Sequence, residues 1–117
     1  MIKLKNELKP FFTVESEVVD NPKIFDTDRE FIVFIVLSRY CNNKIASLSL
    51  ESLAEKSRCS KKNMLIALKG LIEKGLVKKV QRYDEKTKTY QSNLYIIQTM
   101  EEYMNFNNKN FSSKDKE

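Results

Sequence analysis

Residues 27–97 predict an α+β fold: a three-helix core, then a C-terminal β-hairpin, with a short C-terminal helix closing the chain. Three features predict it. Thr27, Ser49 and Ser60 are capping residues, each standing just before a segment whose apolar residues fall at helical spacing. Gly75 follows the last of these segments, where a left-handed glycine ends a helix. Beyond Gly75 the period changes, and two β-prone runs, Leu76–Tyr83 and Tyr90–Ile97, flank the polar stretch Asp84–Lys88. A chain of 117 residues suffices for one domain. It divides into an N-terminal arm or strand (1–26), the helix-and-hairpin domain (27–97), and a short helix with a disordered polar tail (98–117).

The opening segment LKPFFTVESEVVDNPKIF places the β-prone Phe11–Val14 ahead of the turn formers Asp20, Asn21 and Pro22. It reads as a strand or extended arm leading into a loop or short helical turn. Thr27-Asp28-Arg29-Glu30 fits a capping box, in which Thr27 accepts from the Glu30 amide and the Glu30 carboxylate reaches back. The helix runs to about Tyr40, and its FIVFIVL core is apolar nearly all round, which places it centrally. Cys41–Lys44 ends it, and Ile45–Leu48 is a candidate short strand. Ser49 then caps a short helix with Leu50, Leu53 and Ala54 on one side.

Ser57-Arg58-Cys59 is a tight turn, and Ser60 opens a further helix to about Lys74. Its buried stripe is Met64, Ala67, Leu68, Leu71 and Ile72. Thr99–Phe106 forms the short last helix, with Met100, Tyr103 and Met104 on one face, either packed on its own domain or serving a dimer. From Asn107 the chain is polar and frayed.

Composition argues against catalysis. There is no histidine, the commonest general base near neutral pH. The two glycines, Gly70 and Gly75, cannot build a phosphate loop. Cys41 and Cys59 stand alone, which suits free thiols in a reducing cytoplasm better than a metal site, and no cofactor is implied. The carboxylates Asp26, Asp28 and Glu30 sit where a helix dipole already favours negative charge. No apolar run approaches the roughly 18 residues of a membrane span, and MIKLKNELKP lacks a signal-peptide core. A cytoplasmic, non-enzymatic protein with no membrane partner is expected.

The net charge of +5 is segregated. Residues 58–90 hold ten Lys/Arg against three Asp/Glu, a local excess of seven, while the segments on either side are each at −1. Such a concentration is an electrostatic footprint for phosphates, where scattered lysines would be only a solvated surface.

Two short helices joined by a tight turn and followed by a Lys-rich hairpin make a helix-turn-helix with a wing. The stretch LSLESLAEKSRCSKKNMLIALKGLIEKGLVKKV resembles the winged-helix domains of bacterial, plasmid and phage DNA-binding proteins. The hairpin VKKVQRYDEKTKTYQSNLYII, with its aromatic-acidic turn and Ser92-Asn93-x-Tyr95 strand, is similar to the winged helices of replication initiators from mobile elements of low-GC Gram-positive bacteria. The resemblance spans about residues 11–97. It implies double-stranded DNA as the partner, with a homodimer or replication and transfer proteins as further candidates. Initiators of that kind usually carry another domain after the winged helix, so this chain is expected either to act as an accessory factor or to represent only part of the machinery.

The residue chemistry agrees with DNA. Ser60 opens a helix whose first N–H groups can grip a phosphate, Lys61 and Lys62 fill its first turn, and Asn63 can pair with an adenine edge. Arg58 in the turn is placed for phosphate contact. Lys78, Lys79, Arg82, Lys86 and Lys88 supply the wing, for the backbone or the adjacent minor groove. Tyr83 and Tyr90 suit sugar stacking or, better, a cross-strand pair.

Leu65 and Ile66 face outward with Lys62 and Lys69 if the stripe is buried. The resembled family commonly has Ser, Thr, Arg or Gln at those places. Three explanations stand: contact with thymine methyls, a protein interface, or a rolled helix whose apolar residues are covered by the N-terminal segment and belong to the core. The expected function is sequence-specific DNA binding in mobile-element replication, transfer or maintenance. A transcriptional repressor and a protein-interaction module are the alternatives.

Overall fold

Hydrogen bonds at the ends of the helices set the frame of the molecule. The computed structural model describes residues 11–115; the first ten residues of the arm and the last two of the tail lie outside the described residues. Of the strand or extended arm expected ahead of a loop or short helical turn, Phe11–Val14 forms no strand, because β propensity needs a neighbouring strand to pair with. A single turn, α1 (Ser16–Asp20), follows, and the arm is tied down where Glu15 Oε1 accepts from Met100 N at 2.8 Å.

Helix α2 (Asp28–Arg39) starts as its sequence predicts, with Thr27 Oγ1 accepting from Glu30 N at 3.1 Å. The returning bond differs from the expected capping box. Glu30 Oε1 accepts from Asp26 N at 3.0 Å, one residue further back. Val33, Phe34 and Leu37 of α2 are buried, so the helix is central, although Ile32 stays exposed on its outer side.

The residues that end α2 begin a hairpin. β1 (Cys41–Asn42) and β2 (Ile45–Ala46) pair antiparallel across Asn43 and Lys44, whose φ values of 57° and 71° are those of a two-residue primed turn. The expected strand at Ile45–Leu48 is thus half as long. The sheet order is β1-β2-β4-β3, where β3 is Val77–Asp84 and β4 is Thr89–Ile97. β2 pairs with β4 through Ile45↔Ile96 and Ala46↔Tyr95, and that contact brings the short hairpin into the sheet.

Between β2 and β3 lie α3 (Leu50–Lys56), capped by Ser49, and α4 (Lys61–Lys74), capped by Ser60. Met64, Ala67, Leu68 and Leu71 form the buried stripe of α4, with Ile72 partly covered at its edge. Gly75 ends α4 at φ 86°, and a side chain there would run into the Phe106 ring. Packing of the two helices and α2 against Tyr95, Val77 and Ile97 of the sheet closes the core.

The final helix is not short. α5 runs from Met100 to Asp115, through the polar stretch expected to be frayed and disordered. Met100 is buried and Tyr103 packs on the core, while Met104 points away and is 46% exposed. Among the described residues no helix is long and apolar enough to cross a membrane.

Candidate nucleic-acid interface

The turn between α3 and α4 is held by its backbone. Arg58 N donates to Glu55 O at 3.1 Å and Cys59 N to Ala54 O at 3.2 Å. Arg58 itself has φ 60°, a left-handed conformation that a non-glycine residue adopts at a cost of about 1–2 kcal/mol. Its side chain is exposed, and it lines a shallow depression with Asp28, Arg29 and Ile32 of α2. Ser57 is buried behind it, and its hydroxyl has no hydrogen-bond partner among the described residues.

At the start of α4, Ser60 Oγ accepts from Asn63 N at 3.1 Å, which orients the first turn. Lys61, expected to face DNA, is already engaged: its ammonium lies 2.9 Å from Glu51 Oε1 of α3. That bond, together with the Glu51 backbone N–H, holds the Glu51 carboxyl below the usual carboxylate range. Lys62 is exposed, and Asn63 is half-buried. One turn on, Leu65 is 39% and Ile66 62% exposed, with Lys69 exposed beyond them. α4 is not rolled, because Met64, Ala67 and Leu68 already fill its inward side and leave Leu65 and Ile66 exposed; the cover expected from the first ten residues of the arm lies outside the described residues.

The hairpin stands beside this face. Lys79 pairs in register with Tyr95 and Lys78 with Ile96, so the two consecutive lysines fall on opposite faces of the sheet. Lys79 is on the α4 side. There Leu65, Lys69 and Glu73 of α4 and Lys79, Asn93 and Tyr95 of the hairpin line a groove of about 240 Å³. Tyr95, part of the Ser-Asn-x-Tyr strand, is 1% exposed and belongs to the core.

Further out, the register shifts between Val80 and Arg82, where Ser92 and Asn93 of β4 oppose Gln81 alone. Arg82 then pairs with Gln91 and is half-buried. Tyr83 and Tyr90 meet edge to face with centroids 4.9 Å apart, the cross-strand pair expected of them. Lys86 and Lys88 are exposed at the hairpin tip, which is shaped by Asp84 Oδ1 accepting from Lys86 N and by φ 56° at Lys88.

Residues 58–90 hold ten basic residues, and among the described residues at least Lys61 and Lys74 are engaged by acids of the same chain. Lys61 has Glu51, and Lys74 bonds Asp26 and Glu30 at 2.5 and 2.8 Å. Burial would lower the Lys74 ammonium, yet its bonds to Asp26 and Glu30 and their charges outweigh burial and raise it above 10.5. Both acids lie far from Lys74 in the chain, and no local pattern marks such a partner. Among the described residues no group of three or more Cys, Asp or Glu is placed to hold a metal ion.

No family model and no curated protein matches the chain. A solved structure described as "Structure of Rep-DNA complex" aligns with it at a TM-score of 0.49 and 18% identity, over 85% of this chain and 82% of that one. A likeness at that level leaves the assignment to the residues themselves.

Proposed function

We propose that the chain is a winged helix-turn-helix protein that binds double-stranded DNA by setting α4 in the major groove, with the β3–β4 hairpin as a wing. It acts by binding alone, with no catalytic step, in the cytoplasm. The observation that carries this reading is the open side of α4. Lys62, Leu65, Ile66 and Lys69 are exposed along a helix capped by Ser60, with Arg58 in the preceding turn and Lys79 across the groove on the adjoining strand. An α-helix about 10–12 Å across fits a major groove about 12 Å wide, and the lysines on its flanks then meet phosphates. Lys86 and Lys88 reach outward at the wing tip, towards the backbone or the next minor groove. The narrower role, in replication, transfer or maintenance of a mobile element, is supported by the resemblance of the hairpin segment VKKVQRYDEKTKTYQSNLYII to initiator domains.

The test is a mobility shift with pooled random duplexes at increasing salt. Wild-type protein is expected to shift them at low salt, with log affinity falling by about 0.9 per decade of salt for each phosphate neutralised. Replacing Lys61 and Lys62 by Glu is expected to abolish the shift. Undiminished binding by a folded double variant would refute the placement of α4. Selection from the same pool then yields the bound sequence.

A further inference from the structure

We propose that Leu65 and Ile66 read thymine methyl groups, so that the preferred site of this protein is a thymine-rich major groove. The inference rests on the DNA reading above and adds the base chemistry to it.

The exposed face of α4 has little to read hydrogen-bonding edges with. Lys61 is bonded to Glu51, and Asn63 is half-buried. Lys62 and Lys69 are flexible cations suited to phosphate. Between them stand two branched aliphatic side chains, Leu65 at 39% and Ile66 at 62% exposure. The thymine C5 methyl is the one apolar feature that the major groove of unmodified DNA presents. Pressed instead on a guanine or cytosine edge, the same side chains would strip water from donors and acceptors and return no hydrogen bond.

A protein partner is the competing occupant of this face, and the charge pattern disfavours it. Lysine is depleted in protein–protein interfaces. Here Lys69 and Lys79 line a groove with Leu65 and the acid Glu73, and Lys62 is exposed one turn before the aliphatic pair on α4. Cations beside an apolar centre are complementary to a groove with phosphates at its walls and methyls on its floor.

The experiment compares three duplexes of one length by fluorescence anisotropy: alternating dA·dT, the same duplex with every thymine replaced by deoxyuridine, and alternating dG·dC. Wild-type protein should bind the thymine duplex most tightly. Loss of the methyls should weaken binding about fourfold for each methyl contacted. The Leu65→Ala/Ile66→Ala variant should bind the thymine and uracil duplexes equally, with an unchanged circular dichroism spectrum because both side chains are exposed.

Equal wild-type affinity for the thymine and uracil duplexes, with binding still lost on Lys62→Glu, would overturn the methyl contact and leave the DNA reading standing. No binding to any duplex at low salt would overturn both. Self-association abolished by the alanine pair would then give the face to a second copy of the chain.

Discussion

Lys61 and Lys62 are neighbours of the same type, yet their surroundings give them different roles. Lys62 is exposed and faces outward, whereas Lys61 is held against Glu51 at 2.9 Å. A phosphate contact by Lys61 competes with that exposed pair for the same ammonium. Replacing Glu51 by Gln should therefore tighten duplex binding at low salt and steepen the salt dependence by up to about 0.9, as one more cation becomes available. An unchanged slope in the anisotropy titration would mean that Lys61 never reaches a phosphate. The sequence marks both lysines as candidates, because spacing along one helix is local. Glu51 belongs to the preceding helix, and only the angle at the Ser57–Ser60 turn brings it to Lys61. Leu65 and Ile66 show the same limit. Five apolar residues in succession reveal that some must be exposed, and packing against α2 and the sheet decides which.

Among the elements, α4 was the most legible, from its cap at Ser60 to its stop at Gly75. Both ends rest on chemistry of single residues, a side-chain acceptor at the start and a left-handed glycine at the end. The stop has a second reason to be glycine, since the Phe106 ring of α5 packs where a Cβ would lie. Gly75→Ala should cost more than the about 1–2 kcal/mol of a left-handed non-glycine residue, because the ring must also move. The urea midpoint should fall, and a loss below 1 kcal/mol would show that α5 is not docked there. The β1–β2 hairpin and the length of α5 were not legible. Two-residue strands carry no periodicity, and β1–β2 is secured by β4, about fifty residues away in sequence. α5 has a polar composition, which reads as a tail wherever local propensity is the sole guide.

At the scale of the molecule, an ion-pair cluster at Lys74 and a single pair at Lys44 join distant parts of the described residues. Lys74 at the end of α4 reaches Asp26 and the buried Glu30 at the start of α2, locking the helix that bears the exposed face to the central one. A side chain at Gly70 would strike the Glu30 carboxylate, which is why α4 carries a glycine in its interior. Lys44 in the β1–β2 turn bonds Glu102 of α5 at 2.6 Å. That bond, with the Thr99 amide, lowers the Glu102 carboxyl from 4.5 to about 2. Both side chains are close to half exposed, so solvent screening limits the pair to under about 1 kcal/mol despite the size of the shift. A carboxyl lowered on folding stabilises the protein above its unfolded value, and the effect is lost as pH falls towards the folded one. Wild-type protein should therefore melt slightly above Glu102→Gln at pH 6, and the two melting curves should converge as pH falls to about 2. A difference that is constant with pH would remove the pair from the stability of the fold.

The sequence by itself determined the capped starts of α2, α3 and α4, the stop of α4 at Gly75, the α+β class and the concentration of positive charge in residues 58–90. Each of these follows from neighbours within one or two turns of the chain, where backbone geometry alone sets the spacing. Only the tertiary structure decided that β1–β2 joins the sheet, that Lys61 and Lys74 are occupied, that Lys78 and Lys79 diverge, and that Leu65 and Ile66 are exposed. Those outcomes depend on residues brought together from far apart, and their contacts exist only once the core has closed.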